Sequence, residues 1–155
     1  MTPQHLPASR LHAWARSAVL AAALAAGSAC AQSAENNNAL YQQFGAQAGM
    51  VALIDDFTLR LLADPRMNPF FKDLDLPKFK VQLVAQFCEL AGGPCQYKGP
   101  DMKKAHAGVD INKAQFNTLV EVLQLSMDAQ GIAFGAQNRL LARLAPMHRE
   151  VINAP

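Results

Sequence analysis

Apolar residues in this chain recur with the pitch of an α-helix and nowhere with the pitch of a strand. Met50, Leu53, Ile54, Phe57 and Leu61 fall at i, i+3, i+4, i+7 and i+11. That spacing places five apolar side chains on one face of a helix, predicted over about Gly49–Ala63 and ended by Asp64-Pro65-Arg66. A second stripe, Leu76, Phe79, Leu83, Phe87 and Leu90, starts near Pro77, a favourable first-turn residue, and stops at Gly92-Gly93-Pro94. A third, Phe116, Leu119, Val120, Leu123 and Met127, follows Asn112, a good N-cap, and ends at Gly131. The last runs from about Gln137 to Ile152 with Leu140, Leu141, Leu144, Met147 and Val151 inward, and Pro146 should bend it. No segment alternates with period two, so the fold class is all-α. Without repeats or an internal linker, the four long helices predict one domain, and periodicity alone would make it an ordinary bundle.

The stretches between the stripes carry weaker signals. Asn68-Pro69-Phe70-Phe71 reads as a short turn with two exposed aromatics. Asp101 can cap a short helix ending at His106, with Gly108 as its exit. The apolar pattern begins at Ala39, after a polar leader, residues 32–38, that has nothing to bury.

Residues 1–31 read as a secretory signal peptide. Arg10 and Arg16 precede an uncharged apolar run, Ser17–Ala29, that is too short to span a membrane. Small residues at Ala29 and Ala31 then predict cleavage after Ala31. Lipid attachment at Cys30 is the alternative, and the preceding Gly27-Ser28-Ala29 fits it poorly. Cleavage implies a periplasmic or secreted protein without a membrane anchor. It removes Arg10 and Arg16 from 14 basic residues, leaving 12 against 12 acidic. A neutral mature chain argues against nucleic acid or an anionic membrane as partner.

Few side chains past residue 31 are reactive. The histidines are His106 and His148, and the cysteines are Cys88 and Cys95. A catalytic zinc site needs about three protein ligands, and these four residues lack the spacing. No C-x-x-C-H, G-x-S-x-G or phosphate-binding glycine loop occurs, and Ser126 is a lone helix serine. One kind of site does work with a single imidazole: haem b, held by a proximal histidine in a large apolar pocket. A lone histidine near a helix end is more commonly a solvated or capping residue, and His148 is assigned to that class.

The segments "LYQQFG" (from Leu40), "DDFTLRLLADPRMNPFF" (from Asp55), "LAGGP" (from Leu90) and "YKGPDMKKAHAG" (from Tyr97) are followed by an apolar helix. In that order and spacing, from Leu40 to Val151, the chain resembles the group I truncated haemoglobins. The resemblance implies a two-over-two α-helical sandwich around haem b, with the helix before the proximal histidine largely unwound. It assigns His106 to the iron. It places Phe57, Phe71, Phe79, Leu83 and Phe87 on the distal side and Met102 and Phe116 on the proximal side. Lys80, Tyr97 and Lys103 are assigned to the haem propionates. It implies O2, NO or CO as ligand, with a reductase as a further possible partner.

One departure from the family pattern bears on function. The residue after the Phe matching Phe57 is typically a tyrosine that donates to bound O2, often helped by a distal-helix glutamine. Here those positions hold Thr58 and Leu83. A helical threonine can spend its hydroxyl on its own backbone. Gln82, counted with the distal pocket, and Gln86 could swing inward as donors, though solvent exposure is the expected state of both. An apolar distal pocket then predicts fast O2 release and easier autoxidation, with CO and NO less affected. Two other functions stay open: a haem-dependent enzyme such as a peroxidase or NO dioxygenase, which would want a distal acid–base group, and a haem-free helical interaction domain. Finally, an oxidising compartment predicts a disulfide between Cys88 and Cys95, pinning the distal helix to the loop that leads to His106.

Overall fold

The computed structural model describes residues 39–155; the segment 1–31, expected to be a signal peptide, and the leader 32–38 lie outside the described residues. No strand occurs among the described residues, and none of their helices is long and apolar enough to cross a membrane. A short helical stretch, α1 (39–43), leads into α2 (Ala46–Ala63), α3 (Asn68–Phe71), α4 (Leu76–Leu90), α5 (Met102–Ala105), α6 (Lys113–Ala129) and α7 (Phe134–Leu144). A 3-10 turn (Ala145–Met147) and α8 (His148–Val151) complete the order.

The central helix is α2, which packs on one side against α4 and on the other against α6. Its Met50, Leu53, Ile54 and Leu61 are completely buried, as the periodicity requires. It begins three residues earlier than the stripe suggests. Gly45, at φ 78°, turns the chain into the helix, and Ala46 shares the left-handed region at φ 54°. Apolar spacing marks the buried face of a helix and is silent about the turn that launches it. The far end stops at Asp64, which is extended because Pro65 follows it.

Three further expectations need correction. Asn68–Phe71 is a helical turn whose Phe71 is buried and whose Phe70 is partly buried against the core. A Pro at the second position favours that start. The buried apolar residues of α4 are Val84, Phe87 and Cys88, with Ala91 just beyond its end. These form a face offset from the predicted stripe, of which Phe79, Leu83 and Leu90 are only partly buried. The last helix starts at Phe134, and around Pro146 it breaks into a 3-10 turn and a separate short helix. Pro146 has no N–H to continue the ladder.

The caps are largely as read. Asn112 and Gln115 form a reciprocal capping box on α6, at 3.0 and 2.8 Å. Gly131, at φ 66°, closes that helix. Ser126, fully buried, donates to the Val122 carbonyl at 3.1 Å and needs no other role. Cys88 and Cys95 are joined in a disulfide with a Cα–Cα distance of 5.7 Å. The bridge ties the last turn of α4 to the segment leading toward α5.

Candidate functional site

His106 is the C-cap of α5, a helix of one turn. So short a helix does not hold itself together, and side chains fix it. Asp101 caps its start, accepting from the Lys104 N–H at 2.8 Å. Those hydrogen bonds, backbone first and then side chain, hold the Asp101 carboxyl below its ordinary range. At the other end, His106 Nδ1 lies 2.7 Å from the Met102 carbonyl oxygen. A carbonyl only accepts, so Nδ1 carries a proton, and in the neutral ring Nε2 is the nitrogen with the lone pair. That tautomer is the one a metal-ligating imidazole needs, and the carbonyl partner also fixes the ring's orientation. The donor chemistry at His106 therefore fits an iron ligand.

The core also leaves a set of apolar side chains half-covered. Beyond the fully buried core, Phe79 and Leu83 of α4, Leu119 of α6 and Leu141 and Leu144 of α7 are only partly buried. Phe116 and Met102 are half-buried as well. These half-covered apolar residues come from α4, α6 and α7 and from the one-turn helix that His106 caps. A haem is itself apolar over its faces and would complete such a core.

On the side assigned to the ligand, Phe57 and Phe87 are buried, and Phe71 meets Phe79 edge-on with ring centroids 5.5 Å apart. Thr58 is 4 % exposed, and its hydroxyl donates to the Ile54 carbonyl at 2.7 Å. Beside it lies a cleft of about 340 Å³ lined by Asp55, Thr58, Leu59, Leu62, Leu76 and Lys80. Gln82 is half-buried. Gln86 does not face solvent as expected. It is 7 % exposed, and its amide nitrogen lies 3.5 Å from the Met102 sulfur and 3.7 Å from the Met147 sulfur. Beside Phe87 and Cys88 in the chain, it is one of the buried residues of α4 that the predicted stripe left out.

Two of the three polar residues assigned to propionates have other company. Lys80 pairs with Asp55 at 2.8 Å. The Tyr97 hydroxyl donates to the Pro100 carbonyl at 2.8 Å, and burial pushes its phenol up. Lys103 is exposed. Phe116, assigned to the proximal side, meets the ring of the exposed His148 edge-on at 5.5 Å. Sequence reasoning missed Asn153, whose side chain bonds both the His106 carbonyl and the Ile111 N–H. Contacts across more than forty residues leave no periodic signal.

Residues 39–153 match the family model for the bacterial-like globins. The chain belongs to the bacterial-like globin family. Within it, the relatives are group 1 truncated haemoglobins. That of Nostoc sp. (strain MUN 8820) is 28 % identical over 74 % of this chain and 97 % of its own length. That of Chlamydomonas moewusii is 31 % identical over 75 % of this chain and 69 % of its own. Among solved structures, the truncated haemoglobin of Tetrahymena pyriformis in the Fe(III) form superimposes with a TM-score of 0.71 at 26 % identity, covering 74 % of this chain and 97 % of that one. The 2/2 haemoglobin of Synechococcus sp. PCC 7002, cyanomet with covalently attached haem, has a TM-score of 0.69 and 22 % identity over 74 % and 98 % of the two chains, and shares the fold. The all-α arrangement of this globin is thus the truncated two-over-two fold.

Proposed function

We propose that this globin binds haem b through His106 Nε2 and reversibly binds a diatomic gas, O2, NO or CO, on the opposite face. The observation that carries the reading is the 2.7 Å contact between His106 Nδ1 and the Met102 carbonyl, which leaves Nε2 free to ligate. Haem held there would supply the iron that takes up the gas, in the pocket assigned as distal. Phe57, Phe79, Leu83 and Phe87 exclude water from that position. Thr58 offers it no donor, because its hydroxyl is spent on Ile54. Among the residues assigned to this pocket there is no histidine or arginine to move a proton, which favours gas binding over peroxidase chemistry.

The protein works in the cell envelope or outside the cell. The signal-like segment 1–31 motivates that placement, and the Cys88–Cys95 disulfide suits an oxidising compartment.

The test is an absorbance titration of residues 32–155 with one equivalent of haem, in ferric, ferrous and ferrous–CO forms, beside His106→Ala. A sharp Soret band that disappears with His106 is the expected result. No tight uptake, or a spectrum indifferent to His106, overturns the proposal and leaves a haem-free helical domain.

A further inference from the structure

The loop from His106 to Asn112 is unusual for a segment that must hold an iron ligand in place. It contains two left-handed residues, Gly108 at φ 76° and the non-glycine Asp110 at φ 56°. The helix before it has a single turn. Left to itself, such a segment would sample several shapes, and the imidazole would move with it.

Residues 148–154 tie it down. The Asn153 amide nitrogen donates to the His106 carbonyl at 2.8 Å, and its amide oxygen accepts from the Ile111 N–H at 2.7 Å. The backbone N–H groups of Asn153 and Ala154 both donate to the Ile111 carbonyl, at 3.0 and 3.1 Å. One side chain thus spans the two ends of the loop, and the adjoining backbone locks the far end. That carbonyl belongs to the ligating residue itself, so a shift there turns the imidazole. α8 packs against α5, which aligns the two segments.

We infer that Asn153 is a positioning residue for His106: it closes the left-handed loop and so sets the orientation and rigidity of the proximal imidazole. The inference rests on the reading of His106 as the haem ligand. Asn153 touches neither haem nor gas and acts only through the His106 backbone. Asparagine suits the role because it carries a donor and an acceptor on one short planar group. Aspartate would keep the acceptor and lose the donor.

The experiment compares wild type, Asn153→Ala and Asn153→Asp, each loaded with haem. Resonance Raman of the ferrous, ligand-free form reads the iron–histidine stretch. Transfer of haem to an excess of apomyoglobin reads retention. Amide hydrogen exchange of the haem-free proteins reads the loop itself. In Asn153→Ala the iron–histidine band shifts or broadens, haem leaves about tenfold faster, the range for residues that orient a metal ligand, and the Ile111 amide loses protection. Asn153→Asp keeps the Ile111 protection but shows the altered band. Unchanged band and haem-loss rate in a folded, haem-loaded Asn153→Ala overturns the inference alone. A wild type that takes up no haem through His106 overturns the function and this inference together, whatever the exchange data show.

Discussion

The hydroxyl of Thr58 donates to the carbonyl of Ile54, one helical turn earlier, at 2.7 Å. The bond lies inside α2 and is buried. A polar side chain at the expected donor position is thereby turned into part of the helix backbone.

This relationship predicts the ligand kinetics. A donor to bound O2 contributes about 1.5–3 kcal/mol, or about tenfold to a hundredfold in its release rate. With the Thr58 hydroxyl engaged, Thr58→Val should release O2 at a rate within about twofold of wild type. Thr58→Tyr, which places the family's usual donor at this position, should slow release about tenfold or more. CO release should change little in either. Flash photolysis or stopped-flow mixing measures both, and a large acceleration in Thr58→Val would show that the hydroxyl serves the ligand after all.

The Cys88–Cys95 bridge closes a short loop, with a sequence separation of 7. The chain-entropy relation puts its contribution at about 2.5 kcal/mol. Cys88→Ser with Cys95→Ser should lose about that much in urea unfolding. Alkylation of the unreduced, unfolded wild type should add no mass at either residue; two additions on air-exposed protein would mean free thiols.

Gly93 has no room for a side chain. A Cβ there would lie 2.6 Å from the Cys88 sulfur and 2.7 Å from the Tyr41 ring, both buried. Gly93→Ala should therefore cost about 1–3 kcal/mol, the usual penalty for overpacking a tight site. Thermal unfolding checks it, and a midpoint equal to wild type would mean that the ring and the bridge move aside freely.

Asp101 makes the proximal turn acid-sensitive. Its folded carboxyl titrates below the unfolded value of about 3.9, because it caps Lys104 and faces that residue's ammonium. A depressed pKa stabilises the fold above the unfolded value, and that stabilisation disappears as pH falls through the folded pKa. Asp101→Asn should thus be less stable than wild type at pH 6, with the difference shrinking toward pH 3. Equilibrium unfolding at the two pH values tests the sign; a gap that widens in acid would contradict it.

Several features of this globin were readable from residue order alone. The stripe of α2, the stops at Asp64 and Gly131, and the caps at Asp101 and Asn112 are local, set by turn geometry and by side chains within four residues of the groups they satisfy. His106 stood out because so little else in the chain is reactive, and the family pattern around it gave it a role. The tautomer of its ring is also a local matter, an i to i−4 contact, but only the folded backbone shows that the Met102 carbonyl is in reach.

What the tertiary structure decided lies farther apart in the chain. The burial of Gln86 depends on Met102 and Met147, which come from two other elements. The face of α4 that is buried deepest depends on where α2 crosses it, and periodicity could only report that α4 has an apolar side. Lys80 was committed to Asp55, 25 residues away. The tie from Asn153 to His106 spans 47 residues. Sequence determines what one turn of chain can do for itself, because those partners are covalently close. Which distant groups meet is settled by packing, when burying the apolar faces fixes the helices against one another.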